Sequence, residues 1–115
     1  MKKIEKPWGM EEILEINKNY MLKRLTMNKN AKCSLQYHNQ KRETIYILSG
    51  KLKIYFGSSE SSLDSKVFTT GDCMTIDPGV IHRMEGIEKS VYLESSTPEL
   101  EDVVRLKDDY NRNTI

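Results

Sequence analysis

The chain has 115 residues, of which 37% are hydrophobic and 30% charged, and its formal net charge is +1. That length fits one domain, residues 1–115, and that balance excludes a disordered or bilayer-embedded chain. Charge of this size, scattered without blocks, excludes a strong pull toward nucleic acid or an anionic membrane.

The start, MKKIEKPWG, carries lysines with no apolar stretch after them, so it is not a secretory signal. No apolar run reaches the length of a bilayer, and the cytoplasm is the expected compartment. Residues 20–27 alternate, with Met21, Leu25 and Met27 on one face and Tyr20, Arg24 and Thr26 on the other, which predicts a strand. Lys23 shares the methionine face. Cys33 and Cys73 are too few for a disulfide framework and fit no Cys-x-x-Cys metal site, so they read as half-buried thiols in strands.

Residues 44–49 are apolar on both faces, which predicts a strand buried on both sides. Gly50 turns the chain into a half-buried strand in which Leu52, Ile54 and Phe56 alternate with Lys51, Lys53 and Tyr55. The serine-rich stretch 57–65 predicts a surface loop. Further short strands are expected at Val67-Phe68, 73–76 and 91–94, with a turn at Asp77-Pro78-Gly79. The acidic tail from Thr97, with an apolar patch at Val103 and Val104, fits either a short helix or an arm across the sheet. Many short strands in one small domain point to an all-β sandwich or barrel.

Both histidines, His38 and His82, sit beside other metal-capable groups. Gln36 and His38 share a strand face because side chains repeat every two residues. Glu43 opens the next strand after a polar turn, and His82 follows the Pro78-Gly79 turn. Two imidazoles, a carboxylate and an amide oxygen suit one divalent ion such as Zn²⁺, Mn²⁺, Fe²⁺, Co²⁺ or Ni²⁺. On spacing alone, surface or capping histidines explain the pattern as well.

Residues 30–50 resemble the first cupin motif, with Asn30 in place of its leading glycine, Gln36 in place of its first histidine, and His38, Glu43 and Gly50 as usual. Residues 71–86 resemble the second, through Gly71, Gly79 and His82, with Asp77 and Gly86 as departures. Lys6-Pro7-Trp8-Gly9, Ser34-Leu35-Gln36-Tyr37-His38, Arg42-Glu43, His82-Arg83-Met84-Glu85 and the stretch 101–112 look like the C-terminal cupin domain of type II mannose-6-phosphate isomerases. Those enzymes usually also carry a sugar-nucleotide pyrophosphorylase domain. None is present in this sequence, so synthesis of a nucleotide sugar is not expected of it.

The resemblance implies a jelly-roll barrel (a double-stranded β-helix) and one metal ion on Gln36, His38, Glu43 and His82. It also implies metal-dependent interconversion of mannose 6-phosphate and fructose 6-phosphate, or of a related sugar, through an enediol. A non-catalytic metal- or sugar-binding module and a metal-dependent oxygenase are the competing readings. Lys23, desolvated if its face points inward, and Glu94, if it shares an inward face with Tyr92, are the candidate acid–base groups. Lys23 would then find Glu43, a metal-bound water or substrate as its partner. Arg42, Arg83, Arg105 and Arg112 are candidate phosphate ligands, because a guanidinium fork matches phosphate. Trp8 caps the core or lines the mouth, and Tyr37 and Tyr46 pack between strands. Small cupins often pair through an N-terminal strand, so a homodimer is expected.

Overall fold

The computed structural model describes residues 2–110, and among these there is no helix. The strands are β1 (Lys2–Lys6), β2 (Gly9–Ile16), β3 (Met21–Met27), β4 (Leu35–Tyr37), β5 (Glu43–Ser49), β6 (Lys51–Gly57), β7 (Asp64–Thr69), β8 (Cys73–Ile76), β9 (Ile81–Gly86), β10 (Ser90–Ser96) and β11 (Val104–Lys107). They form two antiparallel sheets. One has the order β1-β2-β3-β10-β5-β8, and the other β11-β4-β9-β6-β7. This is the expected jelly-roll barrel.

The inner faces follow the period of two. On β3, Met21, Lys23, Leu25 and Met27 are buried while the residues between them are half-buried. On β6, Leu52 and Ile54 are fully buried. Those side chains, with Ile45, Ile47, Phe68, Ile76, Met84 and Tyr92, fill the interior. Each contributes about 1.5–3 kcal/mol by leaving water. Trp8 is buried in the same cluster and also lines the central cavity.

Three expectations change, and one left open is decided. Residues 44–49 are buried on one face only: Ile45 and Ile47 point in, and Tyr46 and Leu48 are exposed on the outer face of the first sheet. Tyr46 therefore does not pack between strands. Cys33 is buried outside any named strand, and its burial pushes the thiol up to about 11; Cys73 is exposed on β8. The serine-rich loop is shorter than expected, because β6 runs through Gly57 and β7 starts at Asp64. The tail forms an arm, with β11 pairing antiparallel to β4.

Two of the departures from the cupin motifs, Asn30 and Gly86, have structural readings. Asn30, in place of a glycine, adopts φ 66°, a left-handed conformation that asparagine tolerates better than most residues. Gly86 is held between strands: a Cβ there would lie 2.4 Å from the Asn28 carbonyl oxygen. Backbone cannot yield as a flexible side chain does, so Gly86→Ala is expected to cost about 2 kcal/mol. A lowered denaturant midpoint with unchanged slope would show it.

The inner surface changes character along the barrel axis. β3 passes from Met27 and Leu25 to Lys23, with buried Met21 beyond it, β5 from Ile47 and Ile45 to Glu43, β9 from Met84 to His82, and β10 from Tyr92 to Glu94. Antiparallel registers bring these polar positions to one end: Glu94 faces Lys23, Ser96 faces Glu43, and Gln36 faces His82. One end is a packed apolar plug and the other a polar cavity of about 560 Å³.

Candidate metal centre

β4 places Gln36 in the cavity, the turn after it carries His38, β5 opens with Glu43, and β9 supplies His82. His38, Glu43 and His82 are buried, with ligand atoms all within 4.8 Å of one another. The imidazole centroids are 5.1 Å apart. Both Nε2 atoms lie 3.2 Å from one atom, Glu43 Oε1. Gln36 Oε1 accepts a hydrogen bond from Ser34 Oγ at 2.6 Å and keeps a second lone pair.

These groups fit a divalent cation. His38 Nδ1 donates to the Asp102 carbonyl, and His82 Nδ1 donates to the Val80 carbonyl at 2.9 Å. Those bonds fix the tautomer and leave each neutral ring a lone pair at Nε2, the arrangement usual for metal-binding histidines. Two lone pairs and a carboxylate oxygen then face one another. His82 Nε2 is buried and, despite its nearness to Glu43, lacks the alignment for a hydrogen bond. A cation at their centre would satisfy all three. Burial alone would raise the Glu43 carboxyl. Where the imidazoles turn an N–H to it, as His38 Nε2 can at 3.2 Å, those hydrogen bonds and the Lys41 charge outweigh burial and hold it well below the usual carboxylate range, and a cation at the same point would act in the same direction.

Beside the ligands runs a buried chain of charges of alternating sign. Lys41 Nζ lies 3.7 Å from Glu43 Oε2 and 3.3 Å from Glu94 Oε2. Lys23 Nζ lies 4.0 Å from Glu94 Oε2 and 3.4 Å from Glu11 Oε1. All five residues are buried. Charges survive out of water only when paired, and three carboxylates against two ammoniums leave one negative charge for a cation to balance. Burial and the Glu43 charge raise the Glu94 carboxyl above its ordinary value, against the opposing charges of Lys41 and Lys23. For Lys41, burial lowers the pKa, but Glu94 and Glu43 outweigh it and the net shift is upward.

Lys23 and Glu94 thus line the cavity as expected, though Lys23 pairs with Glu11 and Glu94 and not with Glu43. The group between Glu43 and Glu94 is Lys41, which sequence reasoning missed. In the polar turn Asn39-Gln40-Lys41-Arg42 it looks like any solvated lysine. Glu11 was missed for a related reason. In GMEEILEI the two acids are adjacent, and a bulge between Ile13 and Glu15 breaks the alternation. Glu11 enters the cavity, while Glu12 takes a bidentate pair from Arg24.

The arginines separate. Arg105 lines the cavity, and its Nε is buried with no hydrogen-bond partner among the described residues. Arg42 is exposed, and its Nε lies 2.7 Å from Asp77 Oδ1, which ties the two motif turns together outside the cavity. Arg83 alternates outward from His82 and donates to the Cys33 carbonyl and to Asp109. Arg112 lies outside the described residues. From β1, Lys2, Ile4 and Lys6 also line the cavity.

Comparison with known proteins bears on the fold and the family. The family model described as mannose-6-phosphate isomerase C-terminal matches residues 1–108. Xanthan biosynthesis protein XanB of Xanthomonas campestris pv. campestris (strain B100) is 27% identical over 122 residues, covering 96% of this chain and 24% of that protein. A mannose-1-phosphate guanylyltransferase of Salmonella montevideo is 25% identical over 97% of this chain and 24% of its own length. The chain thus spans about a quarter of the length of these relatives. Among solved structures, KdgF from Halomonas sp. superposes with a TM-score of 0.77 at 13% identity, covering 89% of this chain and 92% of that one. Oxalate decarboxylase of Bacillus subtilis superposes with a TM-score of 0.78 at 22% identity, covering 92% of this chain and 30% of that one. The fold is that of the cupins, and the chain belongs to the mannose-6-phosphate isomerase C-terminal family.

Proposed function

We propose that this protein is a metal-dependent aldose–ketose isomerase of a phosphorylated sugar, with mannose 6-phosphate and fructose 6-phosphate as the leading pair. The observation that carries the reading is the polarity of the cavity. Its floor holds the candidate ligands and the buried carboxylate–ammonium chain, and Lys2, Lys6 and Arg105 supply cations to the same space. A phosphate would sit among those cations and direct the carbonyl end of the sugar to the floor. The family and the sugar-phosphate and polysaccharide names of its relatives support that substrate class.

Gln36, His38, Glu43 and His82 would hold one divalent ion. When bound, it would polarise the sugar's carbonyl and hydroxyl oxygens as a Lewis acid. The Glu94 carboxylate takes the proton from C2 and returns it to C1, and its upward shift suits a group that must both accept and release a proton. The Lys41 ammonium, 3.3 Å from Glu94, protonates O1 as the carbonyl becomes a hydroxyl and recovers the proton from O2. Lys23 holds Glu94 in place from its other side, and its own pair with Glu11 keeps it there. We place the protein in the cytoplasm as a homodimer joined through β1, the edge strand of the first sheet.

The reading is tested by a coupled assay on mannose 6-phosphate with metal-loaded protein, with and without a chelator. Turnover that the chelator abolishes is expected. Inactivity on a panel of phosphorylated aldoses, with metal bound, would favour a binding module instead.

A further inference from the structure

Residues 36–43 carry three of the four candidate ligands, yet the turn between β4 and β5 is polar and gains little from the apolar plug. What fixes it is the C-terminal segment 97–105, which runs antiparallel along it and meets nearly every residue. At one end, Thr97 N donates to the Arg42 carbonyl and Arg42 N donates to Thr97 Oγ1, both at 3.0 Å. At the other, Val104 and Arg105 of β11 pair with Tyr37 and Gln36 of β4. Between them stands Asp102. Its carboxylate accepts the backbone N–H of Asn39 at 3.0 Å, of Gln40 at 2.7 Å and of Lys41 at 2.9 Å, and its carbonyl accepts from His38 Nδ1.

Three successive amides aimed at one anion form a backbone nest, and bonds to a charged acceptor are roughly twice as strong as neutral ones. The same residue therefore fixes the turn's backbone and the tautomer and aim of the imidazole it carries. Gly79 N, donating to the His38 carbonyl at 2.8 Å, supports the turn from the second motif. No side chain of the barrel itself gathers those three amides among the described residues.

We propose that Asp102 is a positioning residue of the metal centre: by clamping the amides of Asn39, Gln40 and Lys41 and orienting His38, it makes the C-terminal segment part of the site. The inference rests on the metal reading above for its affinity arm, but not for its amide-protection arm. It assigns a role to a tail whose sequence left helix and arm equally open.

The test uses the full chain with Co²⁺ as probe. Asp102→Ala removes the amide clamp but keeps the carbonyl that faces His38 Nδ1, so Co²⁺ affinity is expected to fall by about tenfold, the low end of the range for losing an orienting partner of a ligand. The visible spectrum of the bound ion should change as His38 shifts. Amide exchange in the metal-free variant should accelerate at residues 39–41 and stay unchanged in β5, β6 and β10. Asp102→Asn, which loses the charge and one acceptor oxygen, should fall between and serves if the alanine variant folds poorly. Unchanged affinity, spectrum and exchange in both variants would overturn the positioning role while leaving the metal reading intact. If wild type itself binds no Co²⁺ and behaves as His38→Ala does, the metal reading fails and the proposal with it.

Discussion

Replacing His82 with alanine is expected to abolish tight metal binding and leave the barrel folded, and His38→Ala should do the same. Each ring contributes one of three acceptor atoms facing a common point, with its other nitrogen tied to a backbone carbonyl. Loss of a ligand should weaken binding by more than the 10–100-fold typical for losing a ligand's hydrogen-bonding partner. The fold should survive, because the apolar plug lies toward the other end of the barrel. A thermal consequence follows. An ion at about 100 times its dissociation constant stabilises a folded protein by about 2.7 kcal/mol, which for a domain of this size is a rise of roughly 10 °C in Tm. Wild type should show that rise and the two variants should not. Calorimetric melts with and without Zn²⁺ or Mn²⁺, beside elemental analysis, would check it. Full stoichiometry in both variants would rule this site out.

Replacing Glu94 with glutamine should lower kcat by about 10²–10⁴-fold, the usual contribution of a positioned acid–base group, while metal affinity stays near wild type. The swap is nearly isosteric, and neither lysine is stranded by it: Lys41 keeps Glu43 at 3.7 Å and Lys23 keeps Glu11 at 3.4 Å. Lys23→Met retains the stem and removes the charge. It should cost about tenfold, or ~1.4 kcal/mol, because Lys23 acts through Glu94 and sits one step farther from the ligands than Lys41. Steady-state kinetics of both variants, with metal content measured in parallel, would decide. Turnover unchanged in Glu94→Gln would remove it from the chemistry. A Lys23→Met defect as large as that of Glu94→Gln would mean that the lysine itself moves a proton.

The sequence made the barrel and the convergence of the candidate site legible for one reason: both follow a period of two or a fixed motif spacing. Met21, Lys23, Leu25 and Met27 all turned inward as their alternation predicts. His82, about forty residues beyond His38 and Glu43, converges with them as the two cupin motifs imply. What stayed hidden depends on contacts that leave no periodic trace. β1, with the sequence Lys-Lys-Ile-Glu-Lys, is a strand because β2 pairs with it, and not because it is apolar. Lys41 is buried by neighbours that only folding supplies. Tyr46 and Leu48 are apolar yet face outward, so composition overstated how deeply β5 is covered. The arginines looked alike in sequence, but alternation along β9 sends Arg83 out as it sends His82 in, and among the described residues Arg105 is the arginine that reaches the cavity. Asp102 seats the tail through backbone amides, whose positions no side-chain pattern records.

The most direct measurement of the central claim is proton NMR of mannose 6-phosphate in D₂O with metal-loaded protein. Loss of the C2 proton signal and appearance of fructose 6-phosphate deuterated at C1 are expected, both stopped by a chelator and restored by added metal. Protein that holds one metal ion per chain, yet leaves the C2 proton in place and forms no fructose 6-phosphate, would contradict the claim.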